Sequence, residues 1–198
     1  MNKINYQLKL EEITGGLEKR PSLLLHSCCG PCSTYCLEYL KEYFDITVLY
    51  YNPNIFPEEE FDRRAAEQRR FIEDYTDGIG LIIVPYDHSE FTGYVKGLEG
   101  EPEGGARCEK CFRLRLEKTA QLAAEDGFDF FGTTLTVSPH KNAQVINAVG
   151  EEISQRAVIA PAWLYSDFKK KDGYKASIEL SQKYGLYRQN FCGCEFAK

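Results

Sequence analysis

The sequence predicts an α/β protein in which helices cover both faces of a mostly parallel β-sheet. Short apolar runs alternate with segments of helical periodicity about five times along the chain, and that alternation is typical of βαβ units. The first apolar run, Leu23-Leu24-Leu25, is continuous, as in a strand that is buried on both faces. Because 198 residues suffice for one substantial core, we expect a single domain over residues 1–198.

Each expected strand is a short run of β-branched, aromatic or other apolar residues that ends at a turn signal. ITVLYY, for example, is followed directly by Asn52-Pro53-Asn54. The sequence predicts strands at residues 23–25, 46–51, 81–86, 128–135 and 157–163.

The helical segments lie before, between and after these strands. In residues 58–75, apolar side chains such as Phe61 fall on one face, while charges occupy the others. After the first strand, Gly30 and Pro31 interrupt regular structure, and we expect Ser33 to cap the helix that follows. Other helices are predicted near residues 1–20, 107–124, 142–155 and 174–184.

Composition and charge limit the function classes. No apolar run approaches the roughly 20 residues of a membrane span, and no apolar block follows the N-terminal lysines as in a signal peptide. We therefore expect a cytoplasmic protein with no membrane partner. The net charge of −6 does not indicate a nucleic-acid binder, so any RNA contact requires a local basic patch.

Cysteines are the most informative residues of the chain. In a cytoplasmic protein, eight cysteines indicate metal ligands, redox catalysts or free thiols rather than structural disulfides. Six of them form three pairs that are distant in sequence: Cys28 with Cys29, Cys108 with Cys111, and Cys192 with Cys194. The first pair follows a strand, and the carboxyl ends of parallel strands share one edge of a sheet. The glycine-rich residues 97–106 can fold the second pair onto that edge, so we expect one site built from distant segments.

Thiolates bind both zinc and iron–sulfur clusters, and the spacing of these cysteines favours a cluster. A [4Fe–4S] cluster needs four thiolates, which are available in Cys28, Cys29, Cys108 and Cys111. Cys29-x-x-Cys32 with the second pair would instead suit zinc, but zinc ribbons separate their pairs by about 15–20 residues. Cys36 is expected in the core. The third pair, C-x-C, can either close a strained redox disulfide or complete a metal site.

Polar residues near the expected strand ends extend this site. Asn52 and Lys141 are placed to hydrogen-bond a polar ligand, whereas lone histidines such as His26 and His140 are more often structural than catalytic. Residues 168–174, FKKKDGY, combine three lysines with two aromatic residues. Such a loop suits phosphate contact and base stacking, although a solvated charged loop has the same composition.

Six segments together resemble the QueH family of epoxyqueuosine reductases. They occur in order from about Leu23 onward and read LLLHSCCGPCS, YYNPNIFPEEEFDRR, RCEKCFRLRLEKTA, TTLTVSPHKN, DFKKKDGY and YRQNFCGCEFA. The resemblance implies reduction of the epoxide of epoxyqueuosine, a modified wobble nucleoside in the tRNA anticodon, to queuosine. This two-electron deoxygenation is the last step of queuosine biosynthesis, and in this family it is independent of cobalamin. It requires an electron donor, which the sequence does not identify.

The resemblance also implies a fold and a set of site residues. The fold would be similar to the HUP/PP-loop nucleotide-binding group, but cysteines replace the phosphate-binding loop, so we expect no ATP chemistry. Cys28, Cys29, Cys108 and Cys111 would hold a [4Fe–4S] cluster, and Cys192 and Cys194 would form a redox-active disulfide pair. The resemblance allows an additional mononuclear iron or zinc beside the cluster, whose ligands the sequence does not assign.

Further roles follow from the chemistry of the expected reaction. The leaving oxygen must be protonated, and candidates are His140, Asp167 or a tyrosine. Anticodon phosphates would be bound by Lys141, Lys169, Lys170 and Lys171. Two other functions fit the sequence less well. A zinc- or thiol-dependent PP-loop tRNA-modifying enzyme would need an SGGxDS-like loop, which this chain lacks. A non-catalytic metal-binding or redox-sensing module would need neither the polar residues near the strand ends nor the basic loop.

Overall fold

A five-stranded, all-parallel sheet forms the centre of the computed structural model, which describes residues 3–75, 78–156 and 161–197. Its strand order is β3-β2-β1-β4-β5. The strands are β1 (Ser22–Ser27), β2 (Asp45–Tyr50), β3 (Gly80–Ile83), β4 (Phe130–Thr133) and β5 (Ala162–Trp163). The helices are α1 (Tyr6–Gly15), α2 (Gly30–Leu40), α3 (Glu58–Tyr75), α4 (His88–Tyr94), α5 (Ala106–Glu125), α6 (Ala143–Gln155) and α7 (Gly173–Lys183).

Two apolar cores lie on opposite faces of the sheet, because alternate residues of a strand point to opposite sides. Leu23 and Leu25 pack with α1, α2 and α3. Leu24 packs on the other face with α5 and α6. The predicted α/β fold, with helices on both faces of a parallel sheet, is therefore confirmed. Among the described residues, no helix has the length and apolarity needed to cross a membrane.

The predicted start of α2 is wrong. The helix begins at Gly30, with Pro31 in its first turn, and Ser33 lies inside the helix and donates a hydrogen bond to the carbonyl of Gly30. Proline is compatible with a first helical turn because its missing N–H would have no partner there anyway. The cap position belongs to Cys29, so the cysteine loop runs straight from strand into helix.

Other differences from the sequence predictions concern a missed helix and shorter strands. The third and fourth strands, predicted at residues 81–86 and 128–135, occupy Gly80–Ile83 and Phe130–Thr133. Helix α4 was not predicted; it is short, and Asp87 caps it by accepting a hydrogen bond from the backbone N–H of Ser89. The fifth strand was predicted at residues 157–163, of which 157–160 lie outside the described residues, and β5 occupies Ala162–Trp163.

The strand order creates a crevice at the carboxyl end of the sheet. From β1 the chain proceeds outward through β2 to β3, and it then returns to place β4 and β5 on the other side of β1. The loops that leave β1 and β4 therefore diverge, and open parallel sheets bind ligands at such a switch point. The residues directly after β1 are Cys28 and Cys29.

Candidate metal centre

Three thiols converge where β1 passes into α2. The sulfur atoms of Cys28, Cys29 and Cys32 all lie within 4.8 Å of one another, and those of Cys29 and Cys32 are 3.0 Å apart. Cys28 follows the end of the strand, Cys29 is the helix cap and Cys32 lies in the first helical turn. In the part of the chain that the structure describes, this thiol trio is the one group of three metal-ligating side chains at such distances.

Cys28 is the most acidic member of the thiol trio. Hydrogen bonds from Cys29 and Cys32 hold its pKa well below the ordinary thiol value, and the positive charge of Lys141 adds to this effect. The pKa of Cys29 is raised to about 12, mainly by its hydrogen bond to Cys28. The first negative charge in the trio therefore forms on Cys28, and a thiolate is the form that binds metals.

Cys108 and Cys111 lie one turn apart at the start of α5. The sulfur of Cys108 accepts a hydrogen bond from the backbone N–H of Gly104 at 3.2 Å. Burial raises the pKa of Cys111 to about 12. The glycine-rich segment thus delivers this pair to the carboxyl edge of the sheet, as predicted.

Two adjoining cavities connect the cysteine groups. The thiol trio lines the first cavity, which has a volume of about 430 Å³. The second cavity, of about 380 Å³, is lined by Cys108, Cys111 and Cys194. Both cavities share a set of lining residues: Glu103, Arg115, His140, Lys141 and Cys192. Of the six predicted redox or metal cysteines, five therefore line one of the two adjoining cavities, and Cys192 lines both.

Two buried arginines line these cavities, and neither was among the predicted site residues. Arg64 and Arg115 are each 2% exposed; Arg64 lines the first cavity and Arg115 lines both. Arg115 also donates a hydrogen bond from Nε to the carbonyl of Cys111 at 3.0 Å. A signal was present in the sequence, because each arginine occupies the apolar face of its amphipathic helix. A cation on a buried face needs a specific partner.

The C-terminal tail holds the third cysteine pair beside these cavities. The backbone N–H of Phe56 donates to the carbonyl of Gly193 at 2.9 Å, and Arg64 donates to the carbonyl of Cys192 at 3.2 Å. Farther along the tail, His88 contacts Glu195 at 2.7 Å. Gly193 has φ +91°, which favours glycine, and a Cβ there would lie 3.1 Å from the Arg64 guanidinium.

All eight cysteines lie within the described residues and are free thiols. The Cys192–Cys194 disulfide therefore stays a prediction. Both thiols are partly exposed, and burial raises the pKa of Cys194. Cys192 lines both cavities, and Cys194 lines the second.

The remaining predicted site residues divide into two groups. Asn52 lines the first cavity, while His140 and Lys141 line both. Asp167 and the three lysines that follow it line neither cavity. Asp167 is paired with Lys169, and Lys171 is paired with Glu11 of α1. Tyr174, which follows this basic loop at the start of α7, lines the first cavity.

His26 lies in β1 and contacts β4 and the residue directly after β2; it lines neither cavity. It is fully buried, its Nδ1 lies 2.9 Å from Thr133 Oγ1, and its Nε2 lies 3.2 Å from the carbonyl oxygen of Tyr51. Burial lowers its pKa to about 3, so the ring is neutral at physiological pH. With Nε2 donating to the carbonyl, Nδ1 accepts from the threonine hydroxyl.

Replacing His26 with leucine is expected to lower the free energy of unfolding by about 2–4 kcal/mol, because it removes two buried hydrogen bonds. Urea denaturation of the variant and the wild type measures this loss. A variant that is as stable as the wild type would contradict the structural role.

Comparisons with known proteins identify the family of this chain. The profile of the family "Epoxyqueuosine reductase QueH" matches residues 23–198. The chain is 46% identical over 202 residues to the epoxyqueuosine reductase QueH of Streptococcus pyogenes serotype M1, covering 98% of this chain and 78% of that protein. It is 45% identical over 204 residues to the Staphylococcus epidermidis protein of the same name, covering 98% and 85%.

A solved structure supports the fold. The U34-tRNA thiolase NcsA from Methanococcus maripaludis, determined with its [4Fe–4S] cluster, matches with a TM-score of 0.59. The match covers 98% of this chain and 67% of the thiolase, at 16% sequence identity. At that identity the likeness concerns the arrangement of strands and helices alone. The family match over nearly the whole chain, together with the two relatives, shows that this protein belongs to the epoxyqueuosine reductase QueH family.

Proposed function

We propose that this oxidoreductase reduces the epoxide of epoxyqueuosine in tRNA to queuosine, in the two cavities at the carboxyl edge of its sheet. The observation that carries the proposal is the meeting of three distant cysteine pairs on these cavities. A purely structural metal site would need neither the adjoining cavity of about 430 Å³ nor its polar lining. Membership in the family supports the reaction, and the cysteine-lined cavities support this location for it.

The donor set fits a [4Fe–4S] cluster. Four cysteines from two segments, Cys28, Cys29, Cys108 and Cys111, line the adjoining cavities, and thiolates are the usual ligands of such clusters. Cys32 completes the trio and is available as a further ligand. When bound, the cluster would supply electrons one at a time.

The chain's own residues supply charge, protons and a second source of electrons. The cations Arg115 and Lys141 face the thiolates and stabilise negative charge in the cavities. His140 is exposed on the wall of both cavities, where it can deliver a proton to the leaving oxygen. Oxidation of Cys192 and Cys194 to a disulfide releases two electrons and two protons, which balances removal of the epoxide oxygen as water. An external electron donor then reduces the pair.

RNA binding is assigned to the surface around the first cavity. Phe191 lines this cavity and is 50% exposed, so its ring is available to stack on an unstacked wobble base. Arg188 and Tyr174 line the same wall. The neighbouring loop with Lys169, Lys170 and Lys171 would contact phosphates of the anticodon stem-loop.

The test is to purify the protein without oxygen, measure iron and acid-labile sulfide, and then assay epoxyqueuosine-containing tRNA with a chemical reductant. We expect about four iron and four sulfide per chain, an EPR signal after reduction, and conversion to queuosine without ATP. Zinc without sulfide, or an absolute requirement for ATP, would favour the PP-loop alternative. A loaded protein that leaves the epoxide unchanged would contradict the proposal.

A further inference from the structure

Three buried amide oxygens in the first cavity have no hydrogen-bond partner within the described chain. They are Asn52 Oδ1, Asn54 Oδ1 and Gln189 Oε1. Asn52 is 1% exposed and Asn54 is 2% exposed. Buried polar atoms are almost always paired, because burying them without a partner is destabilising. Three unpaired acceptors on one cavity wall therefore indicate that a ligand supplies the missing donors.

The orientation of Asn52 follows from its other contact. Its Nδ2 donates a hydrogen bond to the carbonyl of Ser27 at 2.9 Å. A carbonyl can only accept, so the amide nitrogen must face Ser27 and the oxygen must be the free atom. Ser27 is the last residue of β1, directly before Cys28. Asn52 is thus anchored to the end of the central strand while it lines the same cavity as the thiol trio.

Gln189 reaches the same place from the C-terminal tail. It lines the first cavity together with Cys29. Asn54 comes from the loop after β2 and lines the same cavity, as does Arg64. The three oxygens therefore come from two independent segments that converge near the thiols, where the epoxide must be reduced.

Arg64 adds one donor to this wall. Its Nε donates to Glu60 Oε1 at 2.6 Å and its Nη1 to the carbonyl of Cys192 at 3.2 Å, while Nη2 is buried without a partner. The wall thus presents three acceptors and one donor. A phosphate group carries acceptors alone at neutral pH, so it would be repelled by the three oxygens. A hydroxyl group both donates and accepts, which suits the whole set.

We propose that Asn52, Asn54 and Gln189 form a specificity subsite that binds hydroxyl or ammonium groups on the epoxide-bearing substituent of the wobble nucleoside. The subsite distinguishes the modified nucleoside from an unmodified one, because a polar site whose acceptors stay unpaired disfavours a ligand that lacks the donors. This inference rests on the proposed function and adds to it the residues that select the substrate.

The experiment uses the iron-loaded protein and two anticodon stem-loops, one carrying epoxyqueuosine and one with an unmodified wobble nucleoside. The variants are Asn54→Leu and Gln189→Leu, which remove an acceptor at similar side-chain volume. Asn52 is left unchanged because its amide also supports β1. Gln182→Leu is the matched control, since Gln182 is exposed on α7 and lines neither cavity. Asn54→Asp keeps an acceptor oxygen and serves as the conservative variant.

We expect each leucine variant to raise the KM and the Kd for the epoxyqueuosine stem-loop by about 10- to 100-fold. In Asn54→Leu, iron content and the Kd for the unmodified stem-loop should change by less than about 3-fold, since the lost hydrogen bond is made only to the substituent. The Asn54→Asp variant should bind the modified stem-loop more tightly than Asn54→Leu does. The control should match the wild type.

Unchanged KM and Kd in both leucine variants would overturn the inference, and so would an equal loss of affinity for both stem-loops. The second result would mean that the amides bind the RNA outside the substituent. Failure of the proposed function looks different. In that case the wild type would not reduce the epoxide, while its preference for the modified stem-loop, and the loss of that preference in Asn54→Leu, would still support the subsite.

Discussion

Replacing Cys108 with serine is expected to lower iron and sulfide from about four to less than about one per chain and to reduce epoxyqueuosine reduction by at least about 100-fold. Cys108 lies in the first turn of α5 on the second cavity, where it is one of the four predicted cluster ligands. A serine oxygen is a harder and more basic ligand than a thiolate and binds iron–sulfur clusters poorly. Iron and sulfide analysis, EPR after reduction and single-turnover assays measure these effects.

The matched control is Cys36→Ser. Cys36 is fully buried on the core-facing side of α2 and lines neither cavity. Its thiol donates a hydrogen bond to the carbonyl of Cys32, which a serine hydroxyl can also make. This variant should keep its iron, its sulfide and most of its activity. A Cys108→Ser protein that loses the cluster but still reduces the epoxide would refute the proposed mechanism, and one that keeps both would remove Cys108 from the ligand set.

Replacing Cys194 with serine is expected to reduce the steady-state rate by about 100-fold or more while iron and sulfide content stay unchanged. Without Cys194, the tail cannot form the disulfide that releases two electrons. Cys194 packs near Phe91 and Phe196, and a serine of similar size should leave the backbone contacts of the tail intact. Steady-state assays with a limiting electron donor compare the variant with the wild type.

A thiol count gives an independent readout of this pair. After turnover without added donor, alkylation and mass spectrometry should find two fewer free thiols in the wild type, at Cys192 and Cys194. The Cys194→Ser variant should show no such loss. Unchanged rates together with unchanged thiol counts would exclude the dithiol from the reaction.

Several elements were predictable from the sequence because their signals are local. Residues 58–75 show helical periodicity over five turns, and α3 has these boundaries. The continuous apolar run at residues 23–25 lies within the central strand β1. The predicted cap at Ser33 was wrong because Pro31 can be read in two ways. A proline can end a regular segment, but it also fits the first turn of a helix, where it lies in α2.

The α/β fold, the parallel sheet and the cysteine pair directly after the first strand could be read from the sequence, because hydrophobic period and residue type act over a few neighbouring positions. Which side chains share a cavity depends on the tertiary structure. It places the buried Arg64 and Arg115 in the cavity walls and gives His26 its hydrogen-bond partners. The physical reason is that the burial of a charged or polar group is settled by partners from distant segments. No pattern along the chain specifies those partners before the strands are ordered in the sheet.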